Sequence, residues 1–176
     1  METKMKITSL ESLLVDELKD IYSAETQLIK AMPRIIKTAA SKDLRTTLEE
    51  HLKETHKHVD RLEEICRKLD TNPNGKKCTG MEGLIDEAVE LLKMEGDNES
   101  LEAGLIGAAQ RIEHYEIAAY GTARAHARQL GFVEAVKLLS ETLEEEKLTD
   151  KKLTMVAENG VNVQAAMTTE RHLESL

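Results

Sequence analysis

Aromatic side chains are almost missing from this 176-residue chain, which has no Trp, one Phe and three Tyr. Sheets draw on aromatic and β-branched residues, so the scarcity argues against a sheet core, while the dominance of Ala, Leu, Glu and Lys favours helix. Cysteine is equally scarce. Cys66 and Cys78 form no CxxC pair and are too few for a disulfide framework or a thiolate zinc site, so they read as a buried small side chain and an unreactive loop thiol. No run of Lys or Arg offers a track for phosphates. With a net charge of −9, cations are better partners than polyanions, and the electrostatics argue against direct nucleic-acid binding. No stretch approaches the ~20 apolar residues needed to cross a bilayer. The N-terminal METKMKITSL lacks the apolar core of a signal peptide. The expectation is a cytoplasmic protein with no membrane partner, long enough for one domain with a real core.

What the chain does have is four long periodic segments. The first starts near Thr8, where Thr8-Ser9-Leu10-Glu11 fits a capping box, and runs to about Ala40, with a kink expected at Pro33. The second covers about Lys42 to Leu69. Asn, Gly and Pro in TNPNGKKCTG mark a loop, and residues 81–95 form a short amphipathic helix closed by Gly96. The third long helix covers about Glu99 to Leu130 and stops at Gly131. The fourth covers about Val133 to Glu158 and stops at Asn159-Gly160. Two helix hairpins joined by a long linker give an all-α, ferritin-like four-helix bundle whose crossover carries an extra helix. Residues 1–160 form the bundle and 161–176 a C-terminal tail, either a short docking helix or frayed.

A displacement of 91 residues aligns the two hairpins without gaps, and eleven of the 57 pairs from Ser9 to Ile65 are identical. They include the cap-like pair Ser9/Ser100, core pairs such as Leu14/Leu105 and Ile21/Ile112, and the acidic pairs Glu25/Glu116 and Glu54/Glu145.

The glutamates occupy slots that apolar residues should fill. On a helical wheel centred on Leu105, Glu116 lies at about 20°, Glu113 at about 80° and His114 at about 180°. Glu25 continues the apolar seam between Ile21 and Leu28. The second helix interrupts its stripe with His51, Thr55 and His58, flanked by Glu54. In the fourth helix the wheel places Glu146 and Asp150 in central slots, whereas the repeat selects Glu145 as the partner of Glu54; the reading favours Glu145 and leaves Glu146 open. Antiparallel helices bring their midpoints to one height, so these carboxylates converge. Ionised carboxylates buried together must protonate or hold a cation, and an oxygen-rich set with some imidazole suits iron or manganese. His56, His114, His126 and His172 read as surface residues.

The chain resembles the YciF/YciE-type bacterial stress proteins of the ferritin-like, rubrerythrin-containing superfamily. The resemblance runs from about Leu10 to Val156 and rests on DIYSAETQL, HLKETHKHVDRL, MEGLIDEA, IEHYEIAAYGT and ETLEEEKLTDKKL. It implies a homodimer associated with stress and a carboxylate-bridged site for two metal ions, Fe or Mn, ligated by Glu25, Glu54, Glu113, Glu116 and Glu145. His51, His58, Glu146, Asp150, Tyr22 and Tyr115 stand as further ligands or neighbours. One departure matters: Glu54 and Glu145 are followed at three residues by Lys57 and Leu148, where ferritin-like sites show His. Three functions are consistent with this pattern: oxidation with peroxide or oxygen, a non-catalytic dimeric interaction protein with a vestigial site, and iron storage.

Overall fold

The computed structural model describes residues 6–174, with side chains to residue 168; the His172 side chain and both terminal segments fall outside what is described. Every regular element among them is helical: α1 (Leu10–Thr38), α2 (Lys42–Lys68), α3 (Thr79–Leu91), α4 (Asn98–Gln129), α5 (Val133–Val156) and α6 (Asn162–Glu174), with a π-helical turn at Ala157–Val161. The all-α expectation holds. α1 pairs with α2 and α4 with α5 through short loops, α2 packs on α5, α1 on α4, and α3 lies in the crossover against α1 and α4.

Local chemistry sets the boundaries. Ser9, not Thr8, caps α1, in a box closed by Ser12 instead of Glu11. At α4 the cap is Asp97, which accepts the Ser100 backbone N–H at 2.8 Å, so Ser100 sits inside the first turn and is not itself the cap. The turn from α4 to α5 depends on Gly131 at φ +75°, a left-handed conformation that a Cβ disfavours. Cys78 is no loose loop thiol. It is buried as the N-cap of α3, and its Sγ lies 2.9 Å from the Tyr115 hydroxyl. α3 ends at Leu91, short of the expected Gly96, and approaches α4 where Gly104 leaves room for the Leu91 side chain. The Asn159-Gly160 stop does not operate either. Ala157 and Val161 are both buried, and the chain keeps them on the core by widening one turn, with Asn162 N–H bonding to the Ala157 carbonyl before α6 continues.

The apolar core is in two parts. One gathers Leu28, Met32 and Ile35 of α1, Leu44 and Leu48 of α2, Leu105 and Ile112 of α4, and Leu153 of α5. The other gathers Leu14, Leu18 and Ile21, Leu62 and Ile65, Tyr120, Ala123 and Ala127, and Leu139 and Leu143 of the same four helices. Each half therefore takes opposite ends of neighbouring helices, as antiparallel packing requires. Between the halves lie the buried polar residues of the bundle.

Two glycines with opposite requirements test this description. Gly131→Ala must force a Cβ into the left-handed region and is expected to lower stability by about 1–2 kcal/mol. Gly121→Ala, inside α4 with open space where the Cβ would stand, is expected to raise it by about 0.5–1 kcal/mol. Urea unfolding midpoints of the two variants should move in opposite directions.

Candidate metal centre

α2 contributes His51 and His58, two helical turns apart on its inner stripe, with Thr55 between them. α4 contributes Glu113 and Glu116, α1 Glu25 and α5 Glu146. All six side chains are buried. Glu146 stands at the middle. Its Oε2 faces His51 Nδ1 at 3.8 Å and its Oε1 faces His58 Nδ1 at 3.1 Å. His51 Nε2 is 3.2 Å from Glu113, and His58 Nδ1 is 3.3 Å from Glu25.

Two groups of ligand-type atoms, each within 4.8 Å of one another, result: His51, Glu113, Glu116 and Glu146, and next to them Glu25, His58 and Glu146. Glu146 is common to both. Nine buried side-chain N or O atoms among the described residues lack a hydrogen-bond partner, and all nine belong to these six residues. A buried polar atom without a partner is costly, and so many converging on one spot is the pattern a cation resolves. Carboxylates with two imidazoles form a hard-to-borderline donor set that fits iron or manganese.

The fields inside the layer are strong. Burial, together with neighbouring carboxylates, raises the Glu113 and Glu116 carboxyls well above the ordinary range. Burial raises Glu25 too, against the nearby His58 imidazole and the hydrogen bond of Tyr120. Burial pulls His51 down to about 4, so its imidazole is neutral. His58 goes the other way: burial would lower it, but the hydrogen bond to Glu145 and the facing carboxylates of Glu146 and Glu25 push it up to about 12.

Several residues singled out in the sequence stand elsewhere. Glu145 points to the edge of the layer, where His58 Nε2 lies 3.0 Å from its Oε2 and Arg61 donates to both its oxygens. Against burial, His58 and Arg61 hold its carboxyl down at about 2. Glu54 lies on the half-exposed α2–α5 seam and accepts a long bond from Thr149 at 3.4 Å. The structure thus puts Glu146, not Glu145 or Glu54, between the two groups. Asp150 accepts a bond from Gln110 at 3.0 Å and lies 3.4 Å from exposed His114. Tyr22 donates outward to Glu63 at 3.0 Å, and Tyr115 donates to Asp20 at 2.8 Å. The tyrosine that does touch the layer is Tyr120, which donates to Glu25 and whose ring meets His58 edge-on at 6.1 Å. Its position one turn beyond Glu116 was the available signal. His126 is no free surface residue, being half-buried with Nδ1 2.8 Å from Glu17.

A family model described as Domain of unknown function (DUF892) matches residues 9–166. The chain belongs to the DUF892 family. Among relatives, Protein YciF of Escherichia coli K12 is 44% identical over 165 residues, spanning 92% of this chain and 98% of that protein. The crystal structure described as the E. coli stress protein YciF superposes with a TM-score of 0.85 at 43% identity, over 89% of this chain and 99% of that one. YcfI of Rhodopseudomonas palustris superposes with a TM-score of 0.83 at 41% identity and the same coverage. This DUF892 chain and both solved relatives therefore share the helical fold over 89% of this chain. No helix among the described residues is long and apolar enough to cross a membrane.

The buried carboxyls impose a pH dependence on the metal-free protein. A carboxyl whose folded pKa is raised stabilises the fold below its ordinary value of 4.5 and loses that contribution as pH climbs towards its folded value. The Glu113→Gln/Glu116→Gln double variant is accordingly expected to melt above wild type at about pH 8 and to converge with it at about pH 4. Thermal denaturation across pH reads this directly; a pH-independent difference would contradict it.

Proposed function

We propose that this protein is a ferritin-like member of its family that holds two transition-metal ions, iron foremost and manganese as the alternative, in the polar layer of its bundle. What supports this reading is the single Glu146 carboxylate turned towards two separate groups of unpartnered ligand atoms. His51, Glu113 and Glu116 would hold one ion and Glu25 and His58 the other, with Glu146 shared. Bound iron or manganese supplies Lewis acidity and one-electron redox chemistry towards peroxide or oxygen.

The chain's own groups set the limits of such chemistry. Leu28, Met32, Leu48, Leu105 and Ile112 line a cavity of about 20 Å³ that reaches His51 and Glu113. That is room for about one water-sized molecule, so a small molecule such as peroxide or oxygen suits the space better than an organic substrate. Tyr120 keeps the Glu25 carboxylate in place through its hydroxyl. In the cell the protein would act as a cytoplasmic homodimer under stress, in keeping with the description of its E. coli relative as a stress protein. The same closure favours a second reading, in which the ions only brace the bundle and nothing turns over.

Anaerobic titration with Fe²⁺ is expected to show uptake of about two ions per chain with release of protons, because the raised carboxyls and the His58 imidazolium must give up protons to bind metal. Glu146→Ala should weaken both uptake steps, whereas Glu25→Ala should weaken one. Exposure of the loaded protein to peroxide then separates the readings: consumption above that of free iron supports the oxidative one, and none supports the bracing one. Failure of wild type to take up iron or manganese would overturn both.

A further inference from the structure

The layer has an outer partner that the ligand assignment leaves unused. Glu145 lies between Arg61 and His58 on the solvent side of the Glu25, His58 and Glu146 group, with about a quarter of its side chain exposed. We propose that Glu145 is a positioning residue: anchored by Arg61, it fixes His58 so that Nδ1 faces the metal position between Glu25 and Glu146. The inference rests on the dinuclear reading above and deepens it.

The geometry carries the argument atom by atom. Arg61 Nη2 donates to Glu145 Oε1 at 3.0 Å and Nη1 donates to Oε2, while Nη1 also reaches Thr142 Oγ1 at 3.1 Å. The guanidinium always carries its charge, so the carboxylate it grips can only accept. The imidazole nitrogen 3.0 Å from Glu145 Oε2, Nε2, must therefore bear hydrogen. When the ring gives up its second proton to bind metal, hydrogen stays on Nε2 and the lone pair falls on Nδ1, which lies 3.3 Å from Glu25 and 3.1 Å from Glu146. The ring is fully buried and meets Tyr120 edge-on, so it is already turned to the ligating orientation.

His51 has no counterpart to this arrangement. Its two nitrogens face Glu113 and Glu146, both in the ligand layer, and neither makes a hydrogen bond. The two halves of the centre are consequently unequal. One imidazole is oriented from outside by a carboxylate and the other is not. Outer carboxylates that orient a ligating histidine typically matter 10–100-fold in metal affinity, and here the effect should fall on one ion of the pair.

The test is anaerobic titration of wild type, Glu145→Ala, Glu145→Gln and Glu145→Asp with Co²⁺, whose visible absorption reports each site as it fills. Wild type should take up two ions. Glu145→Ala should keep the step assigned to His51, Glu113, Glu116 and Glu146 and lose about 10–100-fold in the other. Added formate should restore that step by refilling the gap with a carboxylate. Glu145→Asp should lie between, and Glu145→Gln, which preserves the side-chain shape, carries the test if the alanine variant does not fold. Unchanged affinity for both ions in the variants would overturn the role of Glu145 while leaving the dinuclear reading intact, as would equal loss of both steps without rescue by formate. A wild type that takes up no Co²⁺ would overturn the dinuclear reading and this inference together.

Discussion

Four carboxylates and two imidazoles enclosed at the middle of a helical bundle must share their charges among themselves or with something added. Burial alone disfavours each carboxylate, and proximity of one carboxylate to the next disfavours it further. The structure meets this demand only in part. His58 sits among Glu25, Glu145 and Glu146 and carries positive charge into the layer, but Glu113 and Glu116 have no comparable partner. Two bound cations would complete the neutralisation, and their absence would leave a permanent penalty inside the core.

The rest of the fold is arranged around that layer. Because the polar residues sit midway along α1, α2, α4 and α5, the apolar core divides into two halves, each sealed from water by leucines and isoleucines of all four helices. Sealing lowers the local dielectric, which strengthens both the repulsion between carboxylates and their attraction for a cation. The polar side chains are held by helices packed into an apolar core on either side of them. On the outer rim, Arg61 extends the network to the surface without exposing the six inner groups. The long crossover contributes from outside: α3 covers α1 and α4, and buried Cys78 at its cap meets Tyr115.

Much of this could be read in the residues, and the parts that could not have identifiable causes. The 3.6-residue period placed Glu25, Glu116, His51, His58 and Glu146 on inner stripes and Glu113 at the edge of one, and all six are buried. The internal repeat matches the packing of the bundle more closely than the placement of its polar groups. Its pairs His51/Thr142, Thr55/Glu146 and His58/Thr149 all occupy buried positions, so the bundle is symmetric in packing. The polar side chains are not: α2 supplies two imidazoles where α5 supplies threonines, and α5 supplies the central carboxylate where α2 supplies Thr55. Identity at Glu54/Glu145 drew attention to two glutamates that lie one residue off the stripe. Arg61 and Tyr120 were harder to find, because their roles depend on which neighbour they meet across a helix interface. The Asn159-Gly160 stop failed for a related reason, since burial of Ala157 and Val161 outweighed a local breaking signal.

The claim that the layer exists to hold two cations is tested most directly by anomalous X-ray diffraction at the iron edge, from crystals loaded anaerobically with excess ferrous salt. The account predicts two anomalous peaks flanking the Glu146 carboxylate, one among His51, Glu113 and Glu116 and the other between Glu25 and His58. Crystals prepared in this way that show only ordered water bridging those six side chains, with no anomalous signal in the layer, would contradict it.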